Sequence, residues 1–514
     1  MASYQKGITL EVQTRHHEVT GSCIYTTITY PNGEKFKFIV DVGLFQDEES
    51  EFLNRYLDFD FSEINHIFLT HNHVDHIGGV PACVKNGFSG NFYTTTKTRE
   101  LLPSALFDSA LIEELDSRQK KLQPFFNEND VINSLKLVKA YDYLDTFKIS
   151  DNVDVTFLEN GHLAGSAMIL FRIKYKSERL NVLFTGDYSS SNYFFIPKKI
   201  PKWIKKLENL VIVTESTYGT TLSTDINKTF DEDIPKIIDS GKSILIPCIA
   251  QERYEVILAH LKTLQDERKI GKNIPIYLDG NLAIKYLRKF TGFYSDEFLP
   301  EGIKYVCEND SREEIIAAPY QKIILTTSGM CSNGPAQTYL AHIIDNNSWA
   351  TYFTCYQASE TIGKKIIETN SGCKINIFGK ETRLEMDIYS TSEFSSHAKQ
   401  DELIDLLSSF NNISAILINH GDSDVKEAFR EKLEELNICN CIKVLDRTRY
   451  YILDKYGLIK ENNTKFIMSE RSIQTSSSFK KNAEKTTNRR PINTRTKFKV
   501  YAQTKLNYRE FYGT

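Results

Sequence analysis

The stretch THNHVDHIGG, Thr70–Gly79, places three histidines and an aspartate between His71 and His76, after the apolar run Ile67–Leu69 and before two glycines. Side chains two positions apart at the end of a strand emerge on one side, so His71 and His73 point together. Asp75 and His76 follow where the chain turns, and aim at a second point. Imidazole and carboxylate without thiolate suit Zn²⁺ or a similar first-row ion better than Mg²⁺. A solvated histidine-rich loop is the plainer alternative, and the flanking apolar strand and Gly-Gly pair argue against it. Four groups cannot saturate two ions, so others must arrive from elsewhere. Strand ends beside glycine supply candidates: His162 in ENGHLAGSA, Asp187 in LFTGDYS and His420 in AILINHGD.

Outward from that loop, the first two hundred residues read as short β-branched or aromatic strands, among them FKFIVDVGLF, DVTFLE, SAMILFRIKY and LNVLFTGD. One helical pattern interrupts them, Thr96 to Lys121, in which Pro103 is expected to mark a break or a helix start. From about Val211 the rhythm changes. Strands apolar on both faces, such as LVIVTE, SILIPCIA, IPIYLDG and KIILTTSG, alternate with helices and predict a parallel α/β sheet. After about Ser396 the order is helix, strand, helix, strand. The segment from about Glu461 onward is rich in Asn, Ser, Thr, Lys and Arg.

Composition narrows the class. A chain of 514 residues with 41% hydrophobic content can bury sizeable cores, and its net charge of -4 gives no global argument for a polyanionic partner. The N-terminal residues alternate as a strand does and lack the apolar core of a signal peptide. No apolar run approaches the roughly 18 residues that a membrane helix needs. The 9 cysteines are scattered and never spaced CxxC, which predicts free thiols in a reducing compartment and a soluble, cytoplasmic chain.

The motifs, taken in order, resemble a known family. Asp41 in VDVGLFQ, the HxHxDH loop, His162 and Asp187 match the four motifs of the metallo-β-lactamase fold. Further on, TESTYG with Glu215, EFSSHAKQDEL with His397 and LINHGD with His420 resemble motifs A, B and C of the β-CASP branch, which processes nucleic acids. HEVTGSC around Glu18, TSGMCSNGP around Ser328 and CYQASETIGKK around Gln357 extend the likeness, which runs from about Gly7 to Asp446. The pattern is most similar to the cleavage-and-polyadenylation endonuclease subunit and to bacterial and archaeal β-CASP ribonucleases.

The resemblance implies an α/β protein: a metallo-β-lactamase αββα four-layer sandwich interrupted by an inserted β-CASP domain with a parallel sheet. Residues 1–210 would form the first part of the sandwich, 211–395 the insertion, 396–460 the returning part and 461–514 a basic extension. It implies two Zn²⁺ ions, one on His71, His73 and His162 and one on Asp75, His76 and His420, with Asp187 bridging them and Asp41 orienting the ligands. Asp75 and Asp187 thereby count among the catalytic groups. A paired centre of this kind lowers the pKa of water and neutralises phosphate oxygens. The leaving oxygen still needs a proton, and His397 is the candidate general acid, with Glu215 holding it charged. The bland alternative for His397 is an exposed histidine at a helix N-terminus.

The expected activity is metal-dependent hydrolysis of single-stranded RNA, endonucleolytic or 5′-to-3′ exonucleolytic, because a histidine at motif C goes with the RNA-processing members. A DNA nuclease, a small-molecule hydrolase such as a thioesterase, and a catalytically silent RNA-binding scaffold subunit are the alternatives. Ser328, Gly329 and Gly334 lie in a loop after a strand where backbone amides could hold a phosphate, although an ordinary βα turn would look the same. Ser396 is a further candidate phosphate contact. Two positions depart from the family pattern: Lys399 stands where aspartate is common, and TYGTTLST lacks the usual basic residue. His16, His17, His66, His260 and His342 read as structural or surface residues. The tail, FKKNAEKTTNRRPINTRTKFKV followed by Tyr501, Tyr508 and Tyr512, could grip phosphates, dock a partner or only solubilise the chain. A homodimer is compatible with all of this, and no membrane association is expected.

Overall fold

The short strands of the sequence assemble into two sheets lying face to face. The computed structural model describes residues 7–15, 19–46, 51–55, 61–307, 309–332, 334–357 and 361–463. His16, His17, Glu18 and the tail with Tyr501, Tyr508 and Tyr512 lie outside the described residues. The first sheet runs Gly457–Asn463, Arg449–Asp454, Thr9–Thr14, Ile24–Thr29, Lys35–Val40, His66–Phe68, Asn91–Thr95, Val138–Tyr141. Its pairing is antiparallel up to Lys35–Val40 and parallel beyond. The second runs Ile442–Val444, Ile413–Ile418, Leu210–Thr214, Glu178–Phe184, Ala167–Tyr175, Val153–Glu159, Thr146–Ser150.

Strand periodicity sorts the side chains into layers. Phe38 and Val40 point into the core shared by the two sheets, while Ile39 between them packs under helices. Phe38 stacks on Phe171 of the opposite sheet with ring centroids 4.3 Å apart. Helices Val80–Lys85 and Thr96–Lys120 cover the first sheet through Cys83, Leu101, Leu102 and Ala105. Helices Gln400–Ser408 and Ser423–Glu435 cover the second through Leu403, Leu407, Phe429 and Leu433. The order of layers is helix, sheet, sheet, helix.

A third sheet is wholly parallel: Ile303–Tyr305, Ile276–Asp279, Ile323–Thr326, Ser243–Pro247, Trp349–Phe353, Asp387–Ser390. Apolar clusters bury both of its faces, which is why its strands read as continuous apolar runs. The chain leaves the seven-stranded sheet after Leu210–Thr214 and re-enters it on Ile413–Ile418, the neighbouring parallel strand. Because exit and re-entry lie side by side, a long insertion adds little loop-closure entropy.

Three local expectations change. Leu210–Thr214, placed by the sequence at the head of the insertion from Val211, pairs instead with Glu178–Phe184 and Ile413–Ile418. Every residue of that strand is buried, so its pattern fits either sheet. The strand Gly457–Asn463 also continues past Glu461, where the basic tail was expected to start. Pro103 neither breaks nor starts a helix: one helix runs Thr96–Lys120 through it, with the Thr95 side chain accepting from Thr98 N at 3.2 Å to cap its start. The proline removes one backbone donor, but Leu101, Leu102, Ala105 and Leu106 are buried around it and hold the helix together. Among the described residues no helix is long and apolar enough to cross a membrane, and all nine cysteines are free.

Candidate metal centre

Loops leaving the ends of both sandwich sheets converge on one rim. Asp41 follows Lys35–Val40, the histidine loop follows His66–Phe68, His162 follows Val153–Glu159, Asp187 follows Glu178–Phe184, and His420 follows Ile413–Ile418. Three overlapping sets result, each with ligand atoms within 4.8 Å of one another: His71, His73, His162 and Asp187; Asp75, His76 and His420; Asp187, Glu215, His397 and His420. Asp187 is central. Its Oδ2 lies 3.5 Å from His71 Nε2, 3.3 Å from His76 Nε2 and 3.6 Å from His162 Nε2, and its Oδ1 lies 3.6 Å from His420 Nε2.

The hydrogen bonds behind these rings fix which nitrogen faces inward. The Thr70 hydroxyl donates to Asp41 Oδ2 at 2.8 Å and accepts from His71 Nδ1 at 2.9 Å. Asp41 also accepts from Thr70 N and from His76 Nδ1, both at 2.8 Å. His162 Nδ1 donates to Ser396 O at 3.0 Å, and His420 Nδ1 to Thr217 Oγ1 at 2.9 Å. With Nδ1 engaged in each ring, His71, His76, His162 and His420 turn Nε2 toward the centre. His73 turns Nδ1 inward, 3.2 Å from His162 Nε2. His76 Nε2 and His420 Nε2 stand 3.3 Å apart. Lone pairs facing at such distances repel unless a cation or a proton lies between them. His71 Nε2 and Asp187 Oδ1 are buried without a hydrogen-bond partner, a costly arrangement for polar atoms unless an ion engages them. The donor set fits a first-row metal ion.

Charge follows burial. Desolvation pushes His71 and His162 well below the usual imidazole range and His73 down to about 4, which keeps their lone pairs available. Burial works against the charge on Asp187, yet His420, His76 and His71 around it hold its carboxyl well below the usual carboxylate range. Close approach of the backbone is needed too: a Cβ on Gly43 would sit 1.5 Å from the Asp75 carbonyl oxygen.

His397 is partly exposed, with 20% of its side chain accessible. Its Nδ1 donates to Glu215 Oε2 at 2.9 Å, and its Nε2 faces Asp187 Oδ2 at 3.9 Å. Glu215 is itself held by the Tyr188 amide. Burial opposes protonation of His397, but the Glu215 and Asp187 carboxylates outweigh it and raise its pKa above the ordinary value. Lys399, the departure from the family pattern, anchors this loop by donating from Nζ to His397 O at 2.7 Å while lying 4.3 Å from the centroid of the Tyr218 ring.

Other expected residues fall elsewhere. Ser396 is buried, its carbonyl taken by His162. Ser328, Gly329 and Gly334 form a loop at the carboxyl end of Ile323–Thr326, where Gly329 packs on Cys248 and Cys355 and its carbonyl accepts from Gln357 Nε2 at 2.9 Å. His66 pairs with Tyr93 at 3.2 Å, His260 with Asp231 at 2.8 Å and His342 with the Thr338 carbonyl at 2.7 Å, each a local contact. Thr70 and Thr217, which set two ring orientations, received no role from sequence although both sit inside the quoted motifs.

A fold of this kind with a histidine and aspartate cage at the strand ends defines a metal-dependent hydrolase. Residues 24–199 match the metallo-beta-lactamase superfamily, 255–366 the Beta-Casp domain, and 381–444 the Zn-dependent metallo-hydrolase RNA specificity domain. The chain belongs to the β-CASP branch of the metallo-β-lactamase superfamily. A protein of Thermus thermophilus named ribonuclease TTHA0252 is 27% identical over 424 residues, covering 79% of this chain and 91% of that one. Transcription termination factor FttA of Methanosarcina mazei is 29% identical over 393 residues, 71% of this chain and 59% of that protein. The FttA of Pyrococcus abyssi is 30% identical over 370 residues, 66% and 54% respectively. The chain therefore spans nearly the whole of the first relative and little more than half of the other two.

Proposed function

We propose that this chain hydrolyses phosphodiester bonds of single-stranded RNA in the cytoplasm, with two zinc ions at the histidine–aspartate centre. The observation that carries the reading is the ring of inward nitrogens around Asp187, with the His397–Glu215 pair beside it. His71, His73 and His162 would hold one ion and Asp75, His76 and His420 the other, Asp187 serving both. Bound there, the ions supply Lewis acidity, making a hydroxide available near neutral pH and neutralising the phosphate oxygens. The rest is done by the chain. Asp41 keeps His76 in the tautomer that offers Nε2, and, through the Thr70 hydroxyl, does the same for His71. Glu215 accepts a hydrogen bond from the Nδ1–H of His397, leaving the Nε2 proton aimed at the centre, where a leaving ribose oxygen would receive it. The amides of the Ser328–Gly334 loop would steady a phosphate further along the strand.

RNA is favoured over DNA by the RNA specificity domain matched at 381–444, by a relative named a ribonuclease and by His420 at motif C. Free cysteines throughout fit a reducing compartment. The test uses 5′-labelled and 3′-labelled single-stranded RNA and DNA with and without chelator. RNA should shorten, chelator should stop it, zinc should restore it, and DNA should be cut far more slowly. RNA retained on the protein but intact under every metal condition would favour the silent scaffold instead.

A further inference from the structure

Glu252 stands directly before the helix Arg253–Asp266, in the lobe built on the parallel sheet, at φ 66° and ψ −52°. Arg253 N donates to Gln251 O at 2.8 Å across it, closing a γ-turn of the strained, positive-φ kind that side-chain-bearing residues rarely adopt. The side chain is buried, 6% of the residue remaining accessible. Burial pushes its carboxyl up to about 7. A strained backbone carrying a buried acid persists only where its surroundings demand it, and such positions cluster at functional sites.

The surroundings are two loops of the sandwich. Asn192 Nδ2 donates to Glu252 Oε1 at 2.9 Å and to the His162 carbonyl at 3.1 Å. The amides of Phe194 and Phe195 fix Asn192 by donating to its Oδ1 at 2.9 and 3.2 Å. The His162 loop is tied in turn to the segment before His397: His162 Nδ1 donates to Ser396 O at 3.0 Å, and buried Ser396 immediately precedes His397. We propose that Glu252 is a positioning residue for His397, reaching from the inserted lobe to hold the Ser396–His397 loop against the His162 loop so that His397 Nε2 faces the scissile bond. The proposal rests on the reading of His397 as the general acid.

The experiment compares RNA with bis(4-nitrophenyl) phosphate, whose nitrophenolate leaves without needing a proton. Glu252→Ala should slow kcat on RNA by roughly 10²-fold, as a small misplacement of a catalytic group does. KM, metal content and melting temperature should stay near wild type, and turnover of bis(4-nitrophenyl) phosphate should fall less than about threefold, since a proton-donor effect is the only one lost. Glu252→Gln, which keeps the acceptor for Asn192, should recover most of the RNA activity. His397→Ala run on the same pair separates the two ideas. If His397→Ala slows both substrates alike, the general-acid reading fails and takes this proposal with it. If His397→Ala is selective for RNA while Glu252→Ala slows both equally, or neither, the role of Glu252 alone is overturned. Should Glu252→Ala fail to fold, Asn192→Ala removes the other half of the contact and must show the same selective loss.

Discussion

Replacing His397 with alanine is expected to slow RNA hydrolysis by ~10²-fold or more while metal content stays at the wild-type level. The residue touches the centre without being needed to complete it. Its Nδ1 is committed to Glu215 at 2.9 Å and its Nε2 stands 3.9 Å from Asp187, with 20% of its side chain accessible. The pH dependence gives a second readout. A general acid must carry its proton, so activity is full below its pKa and is lost as pH rises through it. Because Glu215 and Asp187 raise that pKa despite burial, the fall should lie above the ordinary imidazole range, and it should vanish from the alanine variant's profile. Metal content measured by mass spectrometry and single-turnover rates between weakly acidic and alkaline pH check both. Equal turnover of variant and wild type would remove His397 from the chemistry.

Asp187→Ala should be more damaging. One carboxylate lies within 3.6 Å of four inward nitrogens, His71, His76, His162 and His420. Without it Asp75, 3.7 Å from His76 Nε2 and 3.8 Å from His420 Nε2, is the remaining carboxylate among the proposed ligands, and His71, His73 and His162 keep none, so occupancy of the centre should fall by at least one ion per chain. The loss of charge stabilisation, several kcal/mol, should slow turnover by roughly 10³-fold or more. Full metal occupancy in the variant would contradict the shared role of Asp187.

The strands and the histidine loop were legible because their signals are local. Phe38, Ile39 and Val40 alternate between two cores within three residues, and His71 to His76 carry four donor groups within six. His162, Asp187 and His420 could be picked out as polar groups at strand ends beside glycine, but nothing in the sequence measures the distances that join them. Glu215 and His397 were reached through the family resemblance, their own surroundings being unexceptional. The sheet to which Leu210–Thr214 belongs was not legible, since a strand buried on both faces reads the same in either sheet. Pro103 misled because packing around Leu102 and Ala105 overrides a local penalty. Glu252 was invisible: its partner Asn192 is 60 residues away, and a glutamate gives no hint of positive φ.

All of this turns on whether metal ions sit among these seven side chains. Diffraction from crystals of the active protein, recorded on both sides of the zinc absorption edge, tests it most directly. Two anomalous peaks flanking Asp187, one within bonding reach of His71, His73 and His162 and the other of Asp75, His76 and His420, are predicted. Active crystals with no anomalous density in this cluster would contradict the account.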